Sequence, residues 1–260
     1  MKKILVATVK PFAPAAVAEI KKIVDAAGYE FILLEKYAGQ ADFIKAVEDV
    51  DALIIRSDKA DKDVIAAAKN LKIIVRAGAG YDNIDLGAAS AKGIVAMNTP
   101  GQNSNAVAEL AVGMMVFLAR GQFNGKSGTE LRGKTIGIHA YGHVGKLHIP
   151  ANEHTKKSIG FEILSSMPKN AVLVNTARKE VIDEDGLLKV MAERGDFKYI
   201  SDIAPDCAPE FAANYDGRYL FTPKKMGAQT AEANINAGIA SANQIVNFLE
   251  KGDVTFQVNK

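Results

Sequence analysis

The sequence predicts an α/β protein built on doubly wound parallel sheets, and three observations carry that prediction. Strand and helix signals alternate along the first hundred residues. A short apolar strand at 135–139 then runs into a glycine-rich turn, Ala140-Tyr141-Gly142-His143-Val144-Gly145. A further strand–helix series closes on one long C-terminal helix. Strands separated by helices pair in parallel, because the crossover helix returns the chain to the same edge of the sheet.

Taken in order, the apolar run 3–9 is a strand, and 14–27 is an amphipathic helix closed by Gly28. Strands follow at 31–34, 52–55, 71–75 and 94–97, with helices at 41–49 and 62–69. The strand at 52–55 ends on Arg56-Ser57, and the strand at 71–75 enters the loop Arg76-Ala77-Gly78-Ala79-Gly80. Asn98-Thr99-Pro100-Gly101 marks a break, after which Ser104 or Asn105 caps a helix at 106–120 that is apolar nearly all round. Such a helix must be covered on several sides, by its own domain or by a second copy of the chain. A polar, glycine-rich loop at 121–133 leads to the glycine turn. Beyond it lie a helix near 160–166, a strand at 171–175, and a helix at 184–194 capped by Asp183. Strands at 199–204 and 219–222 precede the final helix, 231–250.

Composition narrows the function classes. With 260 residues, 48% of them apolar and 24% charged, the chain suffices for one large or two medium globular domains. A net charge of +2 gives no reason to expect nucleic acid or an anionic membrane as partner. The single cysteine, Cys207, rules out an intramolecular disulfide and suits a reducing, cytoplasmic setting. Lys10 and Pro11 end the first apolar run too early for a signal peptide. The stretch 106–119 is interrupted by Glu109 and is shorter than the ~18 residues of a membrane span. His139, His143, His148 and His154 have no metal-ligand spacing and make no convincing catalytic case, so no metal is expected.

The glycine turn carries the first chemical signal. It is the dinucleotide fingerprint G-x-G-x-x-G with alanine at the first position. Gly142 lets the backbone approach a pyrophosphate lying at a helix N-terminus, and Gly145 lets that helix pack closely on the strand. Tyr141, Gly142, His143, Val144 and Gly145 are therefore expected to bind the cofactor. A complete unit then needs a helix and a second strand ending in an acidic residue. Here Lys146 is followed at once by Leu147-His148-Ile149-Pro150, a late strand end. Because a βαβ unit takes roughly 30 residues or more, a segment of that order is missing between Lys146 and Leu147, by omission or by deletion.

Several motifs follow one another in series: 75–85 (Val-Arg-Ala-Gly-Ala-Gly-Tyr-Asp-Asn-Ile-Asp), Asn98-Thr99-Pro100-Gly101, Ala108-Glu109-Leu110-Ala111 and the glycine turn. Leu147-His148-Ile149-Pro150, Val174-Asn175-Thr176-Ala177-Arg178, Thr222-Pro223 and Gly227-Ala228-Gln229-Thr230 complete the series. Together they resemble the D-isomer-specific 2-hydroxyacid dehydrogenases. The resemblance implies a Rossmann cofactor domain, 99–231, inserted into a substrate domain made of 1–98 and 232–260. It implies NAD as cofactor and a homodimer built partly on helix 106–120. It assigns Arg178 to the substrate carboxylate and carbonyl, with Thr176, Ala177 and Asp202 beside the cofactor. The backbone at Ala77, Gly78, Ala79 and Gly80 would help bind the carboxylate, and Arg56 with Ser57 would read a substrate phosphate. Arg76 would add positive charge there. An arginine suits such tasks because its planar fork makes bidentate, charge-assisted bonds to oxyanions.

The main chemical departure lies at Thr222-Pro223-Lys224-Lys225-Met226-Gly227. The family places a histidine after Thr-Pro, paired with a glutamate from a segment that reads here Asp202-Ile203-Ala204-Pro205-Asp206-Cys207. Both are absent. Oxidising an alcohol requires a base for the hydroxyl proton as hydride leaves, so Lys224 or Lys225 is expected to take that role. A free lysine, with a pKa near 10.4, is a poor base at neutrality, but burial beside other cations lowers that value. Losing the acidic partner with the histidine is then chemically consistent. The expectation is an NAD-dependent dehydrogenase of a small, phosphorylated 2-hydroxy acid. The rivals are a reductase of unphosphorylated 2-oxo acids and a non-catalytic NAD-binding scaffold. Because the chain stops soon after the last helix, a C-terminal regulatory domain is not expected.

Overall fold

The computed structural model describes residues 1–135 and 155–259 and divides into two compact units, Met1–Asn103 with Thr230–Lys260, and Ser104–Gln229. The sequence reading set the corresponding division at 98/99 and 231/232. The fingerprint residues Tyr141, Gly142, His143, Val144 and Gly145, the 146/147 junction and all four histidines lie outside the described residues.

The first unit is one five-stranded parallel sheet in the order β2-β1-β3-β4-β5. Its strands are β1 (Lys3–Thr8), β2 (Glu30–Glu35), β3 (Ala52–Ile55), β4 (Ile73–Arg76) and β5 (Val95–Asn98). Helices α1 (Pro14–Ala26), α2 (Gln40–Val47), α3 (Lys62–Ala67) and α4 (Leu86–Ala91) make the crossovers, and α9 (Ala231–Lys251) completes the unit. The two-residue period of the strands sorts the core. Leu5, Leu53, Ile55 and Ile74 face α2, α3 and α4, and Ile4, Ile54, Ile73 and Val75 face α1 and α9. Strands buried on both faces must be continuously apolar, which is why β3 reads Ala-Leu-Ile-Ile. Each such side chain contributes about 1.5–3 kcal/mol on burial.

The order 2-1-3-4-5 reverses direction between β1 and β3. In open α/β sheets ligands bind outside the carboxyl ends of the strands at such a reversal. The residues found there are Val9–Ala13 after β1 and Arg56-Ser57-Asp58 after β3.

In the second unit, β6 (Val172–Asn175), β7 (Lys198–Ser201) and β8 (Tyr219–Phe221) form a parallel sheet among the described residues. Tyr199 faces α6 (Phe161–Ser165), α7 (Glu184–Glu193) and α8 (Ala208–Asn214). Its neighbour Ile200 faces Met114 and Leu118 of α5 (Ser104–Ala119). Helix α5 begins at Ser104 itself, two residues before the start at 106 expected from sequence, so Ser104 and Asn105 are its first helical residues rather than its cap. Asp183 does occupy the residue before α7, but its side chain makes no cap hydrogen bond and instead faces Lys157 at 3.6 Å. A short 3-10 turn (Gly121–Phe123) interrupts the loop expected at 121–133.

Candidate active site

Two clusters of polar side chains form at the carboxyl ends of strands, one in each unit, and each is described by itself.

In the first unit, Arg56 follows β3 directly. Its guanidinium lies 5.5 Å from the centre of the Phe12 ring, and Nη1 donates to the Pro11 carbonyl at 3.4 Å. Burial pushes its pKa below the ordinary arginine value, and the nearby Asp58 carboxylate opposes that shift. Ser57 beside it is exposed. Arg76, the last residue of β4, turns back so that Nε donates to the Arg56 carbonyl at 2.9 Å. Arg76 therefore props the Arg56 backbone besides adding charge. Gly78 has φ +150°, a backbone conformation that favours glycine, and a Cβ there would displace the Arg76 guanidinium. The Ala77 amide donates to the Ile55 carbonyl and the Gly78 amide to the Arg76 carbonyl, both at 2.8 Å. The Ala79 and Gly80 amides find no acceptor among the described residues, and amides in that condition suit an incoming carboxylate.

In the second unit, Asn175 closes β6 and shapes the turn after it. Its Oδ1 accepts from the Ala177 amide at 3.0 Å, and its Nδ2 donates to the Arg178 carbonyl at 3.0 Å. Thr176, Ala177 and Arg178 thus sit on a turn held from below. Asp202 follows β7 and is buried. Its Oδ1 accepts from the Thr222 hydroxyl at 3.0 Å and the Met226 amide at 2.6 Å, and its Oδ2 from the Gly227 amide at 2.8 Å. A Cβ at Gly227 would come within 2.9 Å of that Oδ2, so only glycine lets the loop close on the carboxylate. Ile203, next to Asp202, carries φ +148°, a strained value for a β-branched residue.

Asp202 therefore fixes the loop that bears both lysines, and the loop treats them differently. Lys225 is half-buried, and its Nζ donates to the Thr176 carbonyl at 3.3 Å and to the Ala177 carbonyl. Lys224 is exposed. The structure brings Lys225 to the Thr176-Ala177-Arg178 turn and leaves Lys224 toward solvent.

This unit also has a cleft of about 490 Å³ lined by Lys156, Lys157, Lys179, Glu184, Asp206 and neighbours, but not by Arg178 or Lys225. Lys179 is ion-paired to Asp206, and Glu184 accepts from the Asp206 and Cys207 amides at 3.0 and 2.8 Å. Asp206, at the end of the segment where the family carries its glutamate, is thus engaged with Lys179. Among the described residues no group of histidine, cysteine or carboxylate side chains is arranged to hold a metal.

Residues 4–259 match the family described as D-isomer specific 2-hydroxyacid dehydrogenase, catalytic domain. The chain belongs to this family. Over 100% of its length and 99% of the other chain it superposes, at 44% identity and a TM-score of 0.91, on the NAD+-bound 3-phosphoglycerate dehydrogenase of Entamoeba histolytica. It is 30% identical to the hydroxypyruvate reductase of Thermotoga maritima, matching 83% of this chain and 90% of that protein. It is 28% identical to the D-3-phosphoglycerate dehydrogenase of Rattus norvegicus, matching 92% of this chain and 56% of that protein. The chain thus spans little more than half the length of that relative.

Sequence reasoning missed Asn175, Tyr37 and Asp58. Asn175 lies inside a quoted motif, but its side-chain role needs coordinates. Asp58 is buried two residues after Arg56, and the signal available was an acidic residue at the end of an apolar strand.

Proposed function

We propose that this chain catalyses the NAD-dependent oxidation of D-3-phosphoglycerate to 3-phosphohydroxypyruvate, the entry step of serine biosynthesis. The observation that carries the reading is the meeting of Lys225 with the Thr176-Ala177-Arg178 turn. That contact brings a proton carrier to the turn that carries a cation for a carboxylate. The 44% identity over the whole chain to the Entamoeba enzyme supports the substrate, as does Arg56 at the sheet reversal.

The described part of the cofactor unit fits NAD. The turn after β6 carries a hydroxyl at Thr176 and a cation at Arg178, and Asp202 after β7 holds the neighbouring loop in place. Tyr141, Gly142, His143, Val144 and Gly145 would hold the pyrophosphate. When bound, NAD supplies the acceptor for the hydride that leaves the carbinol carbon. Arg178 holds the substrate carboxylate and draws electron density from the forming carbonyl. Lys225 Nζ, as the neutral amine, takes the hydroxyl proton; in reduction its ammonium returns that proton to the alkoxide. Arg56 and Ser57 receive the phosphate, and the Ala79 and Gly80 amides receive a carboxylate oxygen.

The protein is further read as a cytoplasmic homodimer. Among the described residues no helix is long and apolar enough to cross a membrane. Val112 and Val116 of α5 lie 53% and 38% exposed, an apolar face suited to a second copy. The alignment with the Rattus relative runs over 299 residues, longer than this 260-residue chain, so that relative carries residues this chain lacks within the aligned span. A second reading, reduction of hydroxypyruvate or glyoxylate, is favoured by the 90% coverage of the Thermotoga relative.

The test is NADH formation from D-3-phosphoglycerate and NAD across pH 7 to 10 (a span around the lysine range), with hydroxypyruvate and glyoxylate assayed in reverse. Turnover with the phosphorylated acid is expected. Turnover with only the unphosphorylated acids supports the reductase, and silence with all of them supports a non-catalytic scaffold.

A further inference from the structure

The first unit contains a buried acid that the proposed chemistry does not use. Asp58 is only 8% exposed and stands on the turn after β3. Its Oδ1 accepts two hydrogen bonds, from the Val9 amide and from the Tyr37 hydroxyl, each 2.7 Å long. Its Oδ2 is buried and has no hydrogen-bond partner among the described residues. A carboxylate so poorly solvated is costly to keep, so its retained bonds point to a local task.

That task follows from what the three groups hold. Val9 opens the turn after β1, and the same turn supplies the Pro11 carbonyl and the Phe12 ring that seat the Arg56 guanidinium. Tyr37 lies just beyond β2 and fixes Asp58 from the other side. The Asp58 and Arg56 carbonyls are both tied to Asn83 Nδ2, at 2.7 and 3.3 Å, which closes the turn carrying Arg56. Three crossover turns, after β2, β1 and β3, are therefore pinned together by one carboxylate.

We infer that Tyr37 and Asp58 are positioning residues that set the place of Arg56 and so determine affinity and specificity for a phosphorylated ligand. The inference rests on the reading of Arg56 as the phosphate-binding residue. Tyr37 acts through Asp58, Asp58 through the Val9–Ala13 turn, and that turn through Pro11 and Phe12. The hydrogen bonds carry the effect, so an amide able to accept the same two bonds will serve in place of the carboxylate.

The experiment is calorimetric titration of the full chain with D-3-phosphoglycerate, inorganic phosphate and D-glycerate, alongside the NADH assay. Tyr37→Phe and Asp58→Ala are expected to weaken both phosphorylated probes about five- to ten-fold, the size of a lost hydrogen bond in a held site. D-glycerate binding is expected to be unchanged, and Asp58→Asn to restore phosphate binding to within about two-fold, since its Oδ1 keeps both acceptor bonds. A merely destabilising change would lower the active fraction for all three probes alike. Tyr37→Phe removes a single hydroxyl, so it carries the test if Asp58→Ala does not fold. Equal affinities in wild type and Tyr37→Phe, a parallel loss for D-glycerate, or absent phosphate binding in wild type would overturn the inference. Phosphate binding that responds as expected in a chain that forms no NADH would uphold it and overturn the dehydrogenase reading instead.

Discussion

Lys225 and Lys224 are adjacent in sequence and chemically identical, so only their surroundings can separate them. Lys225 donates to two carbonyls on the Arg178 turn, whereas Lys224 is exposed. Lys225→Ala is therefore expected to lower kcat by about 10²–10⁴-fold, the usual range for general acid–base catalysis. Lys224→Ala should leave kcat within about two-fold, as surface substitutions do. Steady-state NADH formation by the two variants decides between them; equal losses would return the role to the loop as a whole. From sequence, the family pattern placed a lysine where a histidine was expected, but two neighbouring lysines made the assignment degenerate. What separates them is the Asp202 carboxylate, which fixes the loop through the Thr222 hydroxyl and the Met226 and Gly227 amides. Two of those three donors are backbone amides, which every sequence supplies, so nothing in the letters at 222–227 announced the arrangement.

The strands of the first unit were legible because burial on both faces demands continuous apolar runs, and runs such as Ala52–Ile55 are bounded by polar or charged residues. Helices α4 and α8 were not legible. Helix α4, Leu-Gly-Ala-Ala-Ser-Ala, has only six residues and no amphipathic period, and its start is set by the Asp85 side chain accepting from the Ala88 amide. Helix α8 opens with Pro209 in its first turn, between two strands where no helix was assigned, and it forms because Phe211 inserts among Tyr199, Tyr215, Tyr219 and Phe221. At this scale the turn after β4 offers a direct test. Gly78→Ala places a methyl group in a positive-φ position and against the Arg76 guanidinium. The expected cost is about 1–3 kcal/mol of stability, the range for a strained backbone position, read as a lower urea midpoint. Because displaced Arg76 also releases the Arg56 carbonyl, KM for the phosphorylated acid should rise in the same variant. An unchanged midpoint would mean that the turn relaxes without loss.

At the scale of the whole molecule, the response to alkaline pH is set by groups held protonated in the fold. Burial pushes the Cys207 thiol up to about 12, and the neighbouring Glu184 carboxylate adds to the shift. Desolvation likewise raises Tyr37, helped by its hydrogen bond to Asp58, and Tyr199. A thiol in the unfolded chain loses its proton near pH 8.5. Above that pH the unfolded chain has released a proton that the folded chain retains, so stability declines as pH rises. The contribution is therefore complete below about pH 8.5 and falls away toward the folded value of about 12. The limiting slope for one such proton is about 1.4 kcal/mol per pH unit. The tyrosines join only above about pH 10, where an unfolded phenol ionises. Urea unfolding followed by circular dichroism at several pH values between about 7.5 and 10 isolates the thiol. Wild type should lose midpoint steadily above about pH 8.5, while Cys207→Ala, whatever its packing cost at neutrality, should give a flatter curve. Parallel curves for the two proteins would remove the thiol as the source. The steepening expected above about pH 10 should persist in Cys207→Ala and diminish in Tyr37→Phe, because it comes from the raised phenols and not from the thiol.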